Sequence, residues 1–98
     1  MNKNRVINII RNNIDTIKKY GVKKIGLFGS IARGEDSPES DIDILISFIP
    51  GEKSFDNYMD LKFFLEDILN CSHIDLVIED NVKKRLKPYI YKDLEYVA

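Results

Sequence analysis

Apolar residues recur at helical spacing in two stretches of this chain and in short strand-like runs in three others. Val6, Ile9, Ile10, Ile14 and Ile17 follow the i, i+3, i+4 rule with Asn, Arg and Lys between them. That spacing predicts an amphipathic helix over residues 6–17, closed by Lys18, Lys19 and then Gly21. Tyr58, Leu61, Phe64, Leu65, Ile68 and Leu69 repeat in the same way and predict a second helix over 55–69. Residues 25–28 read as a short buried strand, 41–48 alternate as a second, and 74–78 form a third with Asp75 inside it. The stretch 33–40 is a turn-rich loop, and Pro50, Gly51, Glu52 and Lys53 mark another. Residues 82–86 predict a short helix stopped by Pro88, and 89–98 fit either a short helix or a pairing strand.

This order describes a small α/β (α+β) layer, a mixed sheet with helices packed on it. The helix over 55–69 is long enough for a crossover connection. The third strand is therefore expected beside or close to the second, which would turn Asp75 toward the same cleft as Asp41 and Asp43. There is no internal repeat, linker or low-complexity tract, and residues 1–98 are read as one domain.

Composition narrows the function classes. With 15 basic against 16 acidic residues the net charge is −1, which argues against a dedicated nucleic-acid binder. No apolar run approaches the length of about 20 residues needed to cross a bilayer. The stretch from Val6 to Arg11 is too short and too interrupted for a secretory leader. Cys71 stands alone, so no internal disulfide forms and a cytoplasmic, reducing setting is expected. A lone Cys beside the single His73 reads as structural.

The chemistry gathers between residues 26 and 43. Residues two apart on a strand share a face, so Asp41 and Asp43 converge while Ile42, Ile44 and Ile46 take the opposite face. Adjacent carboxylates repel unless a cation lies between them, and hard oxygen donors suit Mg²⁺. Three aspartates (Asp41, Asp43 and Asp75) on neighbouring strands can hold two Mg²⁺ ions about 3.5–4 Å apart, the arrangement used for in-line displacement at phosphorus. Upstream, Gly29 lets backbone N–H groups approach phosphates closely, and Ser30 adds a hydroxyl. Arg33 is a candidate phosphate clamp. Gly29-Ser30 alone is a strand-ending turn, and Asp41-x-Asp43 alone a solvated strand edge. Their co-occurrence is what marks a nucleotide and metal site.

Gly29-Ser30-Ile31-Ala32-Arg33-Gly34, then Ser40-Asp41-Ile42-Asp43 ten residues after the Gly-Ser pair, then Ile74-Asp75-Leu76, resemble the polymerase-β-type nucleotidyltransferase superfamily. The chain is most similar to its minimal members, which consist of the catalytic core. The resemblance implies that Gly29 and Ser30 contact nucleotide phosphates and that Asp41 and Asp43 bind both metals. It implies that Asp75 binds the catalytic metal and orients the nucleophile. It further implies ATP as substrate and a protein acceptor: minimal members resembling this chain act as antitoxins that transfer AMP to a tyrosine of a HEPN-type ribonuclease toxin. With no acceptor-gripping domain beyond the core, the acceptor is expected to bring its own surface, and exposed aromatics near Tyr89 and Tyr91 are candidates for meeting it.

Two other readings compete. In one the fold silences its partner by occlusion alone; in the other it modifies RNA or a small molecule, against which the near-neutral charge counts. The basic run Lys83, Lys84, Arg85 and Lys87 reads as a solvated helix face or end. Tyr58, Phe63 and Phe64 read as core or interface aromatics, and His73 as a surface residue near the cleft.

Overall fold

The computed structural model describes residues 2–35 and 41–98. The middle and end of the expected 33–40 loop, including Pro38 and Ser40, lie outside the described residues, as does Met1. Helices α1 (Lys3–Asn12) and α2 (Ile14–Lys18) precede strand β1 (Val22–Phe28) and the short turn of helix α3 (Gly29–Ala32). Then come β2 (Ile42–Phe48), α4 (Phe55–Leu69) and β3 (Ile74–Ile78). The chain closes with two 3₁₀ turns (Glu79–Asn81 and Lys84–Leu86), α5 (Lys87–Tyr91) and β4 (Glu95–Tyr96).

The first amphipathic stretch is two helices rather than one. The Asn13 side chain donates from Nδ2 to the Ile9 carbonyl at 2.8 Å, and its backbone leaves helical geometry at φ −114°, ψ 16°. A side chain that competes for a backbone acceptor in this way favours a helix boundary. The apolar stripe survives the break: Val6, Ile10 and Ile17 are fully buried, while Ile9 and Ile14 are half-buried against the same core. Asn2 caps α1 by accepting from the Arg5 N–H at 2.9 Å. Gly21, at φ +82°, ends α2 and leads into β1, as the expected helix stop required.

The sheet runs β3-β2-β1-β4. β1 pairs antiparallel with β2 on one side and with β4 on the other, and β2 pairs parallel with β3 through the α4 crossover. The parallel pairing is the expected neighbouring of strands two and three. α4 is capped by Ser54, whose hydroxyl accepts from the Asn57 N–H at 3.1 Å. It closes at Asn70, in the left-handed conformation at φ 49°. Its buried stripe of Leu61, Leu65 and Leu69 meets Ile25, Leu27, Ile44, Ile46 and Leu76 from the sheet and Val6, Ile10 and Ile17 from the first helices. α1, α2 and α4 thus cover one face, and the other face carries Asp43. Leu45 is buried as well, but by strand alternation it stands on the Asp43 side.

The C-terminal region departs from expectation. In place of a helix over 82–86 there are two 3₁₀ turns, separated by extended backbone at Val82 and Lys83. Pro88 starts a helix instead of stopping one, because it falls in the first turn of α5, where a missing N–H costs nothing. The final segment is both of the forms expected for it, a short helix and then a strand. Gly26 makes room for that strand: a Cβ there would come within 2.9 Å of the Glu95 carbonyl.

Candidate active site

Register places the central carboxylates. Phe28 on β1 pairs with Asp43 on β2, and Asp43 pairs with Asp75 on β3. Asp43 and Asp75 therefore project side by side from neighbouring parallel strands, on the face opposite the helices. Asp41 is the residue just before β2 and is exposed. It shares with Asp75 a shallow cleft of about 430 Å³, also lined by Ser72, His73 and Ile74. His73 is exposed at its rim. A larger, mostly apolar cleft of about 620 Å³ opens near the far end of β3, lined by residues such as Phe55, Tyr58 and Ile78. It contains no carboxylate, so it lies apart from this chemistry.

Half-buried Asp43 carries the strain of the arrangement. Its carboxyl is pushed from 3.8 up to about 6, first by burial, then by the charges of Asp75 and Asp41, with Arg33 pulling the other way. Tyr58, whose hydroxyl donates to the Leu76 carbonyl at 2.7 Å, is also pushed up, first by burial and then by Asp75.

Gly29 faces Asp43 across the strand end. It sits at φ +72°, and a Cβ built there would collide with the Asp43 carboxylate. Both constraints demand glycine. Ser30 follows in α3, half-buried, and the turn has no side-chain cap on its opening N–H groups. Arg33 closes the turn, exposed and already engaged: Nε donates to Glu35 Oε2 at 2.6 Å and Nη1 to Asp93 Oδ2 at 2.8 Å. Those partners hold the guanidinium charged, Glu35 contributing most.

The donor set suits a hard divalent cation. Among the described residues, no three His, Cys, Asp or Glu side chains stand close enough to form a metal cage by themselves. Mg²⁺ commonly takes only one or two carboxylates, with phosphate oxygens and waters completing its shell. Two paired aspartates, one of them raised in pKa by burial and then by its neighbours' charge, beside a glycine that leaves them room, fit that demand. Cys71 does not add to it, being half-buried against the core. Tyr89 and Tyr91 are exposed on α5, and the Tyr91 hydroxyl donates to Glu79 at 2.7 Å. Lys83, Lys84 and Arg85 are exposed.

Asp93 escaped sequence reasoning. It sits sixty positions from Arg33, and no local pattern marks it as a partner.

A strand-ending glycine turn facing carboxylates on two neighbouring strands is the core of a nucleotidyltransferase. Residues 7–97 match the family model described as nucleotidyltransferase domain, and the chain belongs to that family. It is 44% identical over 78 residues to a Methanocaldococcus jannaschii chain provisionally named a protein adenylyltransferase, covering 79% of this chain and 74% of that one. It is 35% identical over 82 residues to the protein adenylyltransferase MntA of Thermococcus cleftensis, covering 82% and 79%. Among solved structures, a chain described as a minimal nucleotidyltransferase superposes with a TM-score of 0.84 at 26% identity, over 97% of this chain and 95% of that one. A chain from the complex of a tri-AMPylated Shewanella oneidensis HEPN toxin with MNT antitoxin shares the fold, with a TM-score of 0.65 at 19% identity over 94% and 71%. No helix among the described residues is long and apolar enough to cross a membrane.

Proposed function

We propose that this chain is a Mg²⁺-dependent protein adenylyltransferase acting as an antitoxin, which transfers AMP from ATP to a tyrosine of a HEPN-type toxin partner and releases pyrophosphate. The observation that carries the reading is the Asp43–Asp75 pair set in register beside Gly29. The names of its relatives supply the protein acceptor, and the toxin complex that shares its fold supplies the partner class.

In this reading Gly29 and Ser30 receive the nucleotide phosphates on backbone N–H groups and the Ser30 hydroxyl. Asp43 and Asp75, with Asp41 at the mouth of the cleft, would hold the metal ions, and Asp75 would also orient the acceptor hydroxyl. Arg33 meets phosphate charge from the end of α3. The acceptor oxygen attacks the α-phosphorus in line, the bond to pyrophosphate breaks, and the phenolic proton leaves to solvent. Bound Mg²⁺ supplies charge neutralisation at the phosphates and a more acidic acceptor hydroxyl.

The test incubates the chain with Mg²⁺, α-labelled ATP and the toxin partner, alongside the Asp41→Asn/Asp43→Asn variant. Label on the partner that vanishes with the variant is the expected result. A partner that co-purifies and is silenced without label would make the chain an inhibitor by binding and overturn the reading.

A further inference from the structure

Arg33 stands at the end of the turn that begins at Gly29, and its N–H returns to the Gly29 carbonyl at 3.2 Å. Its side chain therefore starts one helical turn from the glycine that packs against Asp43. From there it is pinned at two different nitrogens, Nε to Glu35 and Nη1 to Asp93. Two bonds on separate nitrogens fix the plane of a guanidinium, and its five N–H groups are not exhausted by them.

The two partners are unequal. Glu35 is a loop neighbour whose side chain is 61% exposed, whereas the Asp93 side chain is only 14% exposed. A charge-assisted bond sheltered from water keeps more of its strength than one open to solvent. The anchor itself is held by the sheet. Asp93 lies between α5 and β4, Leu94 packs over Gly26, and Glu95 and Tyr96 pair with β1.

We propose that Asp93 is a positioning residue of the nucleotide site: together with Glu35 it holds the Arg33 guanidinium beside the Gly29–Asp43 contact, where it meets the incoming phosphates. The inference rests on the nucleotidyltransferase reading above and adds the C-terminal segment to the working parts of that site.

The test measures the dissociation constant of a non-hydrolysable ATP analogue with Mg²⁺ by calorimetry, on the full chain. The proteins compared are wild type, Asp93→Asn, Arg33→Ala and their double variant, each checked for folding by its melting curve. Residues in direct contact couple, so Asp93→Asn is expected to weaken binding about five- to ten-fold and the double variant to bind like Arg33→Ala alone. Asp93→Glu should restore part of the loss. Arg33→Lys, which leaves Asp93 in place but cannot present a planar fork, should bind like Asp93→Asn. Unchanged or tighter binding in Asp93→Asn would overturn the proposal, the tighter case meaning that Asp93 withholds Arg33. So would a loss that persists undiminished on the Arg33→Ala background, since Asp93 would then act through the fold. Wild type failing to bind the analogue would sink the nucleotide reading itself, a result distinct from wild-type binding that Asp93→Asn leaves intact.

Discussion

Asp43→Asn should stabilise the metal-free chain while abolishing its response to Mg²⁺. In the folded chain the Asp43 carboxyl sits at about 6 against an ordinary 3.8, so folding binds its proton more tightly than the unfolded chain does. A folded pKa raised in this way leaves stability intact below the unfolded value, and stability falls as pH rises through about 6. Taken at face value, a shift of roughly two pKa units corresponds to about 3 kcal/mol. Asp43 is only half-buried, so solvent screening reduces the expected penalty to about 1–1.5 kcal/mol. Asparagine keeps the shape that fits against Gly29 and removes the charge. In a domain of this size each kcal/mol moves the melting temperature by about 4–8 °C. The variant should therefore melt about 4–12 °C above wild type at pH 8 in EDTA. That advantage should shrink as pH falls through about 6 toward 4 and disappear below the unfolded value of 3.8, where wild-type Asp43 is protonated in both states. Adding Mg²⁺ should raise the wild-type melting temperature and leave the variant where it was. Thermal denaturation followed by circular dichroism, at several pH values with EDTA or Mg²⁺, reads all of this. A variant that melts at or below wild type at pH 8, or whose difference from wild type does not change with pH, would refute the argument that like-charge crowding and burial raise Asp43.

Two further substitutions test the frame around the site. Gly29→Ala places a Cβ at φ +72° and against the Asp43 carboxylate, so urea unfolding should show a loss of at least about 1–3 kcal/mol. Full stability in that variant would mean that α3 does not hold Gly29 against β2 as described. Leu65→Ala removes a fully buried side chain from the centre of the α4 stripe and should cost about 2–5 kcal/mol with no change in cooperativity, measured in the same unfolding experiment.

The parts of this molecule that periodicity encodes were legible in the residues. The α4 boundaries and the β3 boundaries come directly from apolar spacing, because each buries one clean stripe or face. The Gly29 turn and the Asp43 position were legible from motif spacing. What spacing does not encode is competition between side chain and backbone. Asn13 bonding to the Ile9 carbonyl splits a helix that its apolar stripe describes as continuous. Pro88 gives no sign on its own whether it ends one helix or opens the next, since the proline ring suits a first turn as well as a stop. Arg33 shows the limit most plainly. The residue was visible as a candidate, but its partner Asp93 arrives only when β4 joins the far edge of the sheet.

The alternation of β2 ties stability and chemistry to one register. Ile42, Ile44 and Ile46 lie at 4%, 0% and 1% exposure on the helix-covered face, and the residue between the first two is Asp43. Slipping β2 by one position would drive Asp43 into that apolar layer and turn the isoleucines toward the cleft, so the core excludes the slip. The same register sets Asp43 beside Asp75 on one side and at the strand end occupied by Phe28 and Gly29 on the other. The carboxylates repel one another, and nothing in their own interactions would bring them together. The apolar face holds them there, so the packing of the core sets the carboxylates side by side against their mutual repulsion.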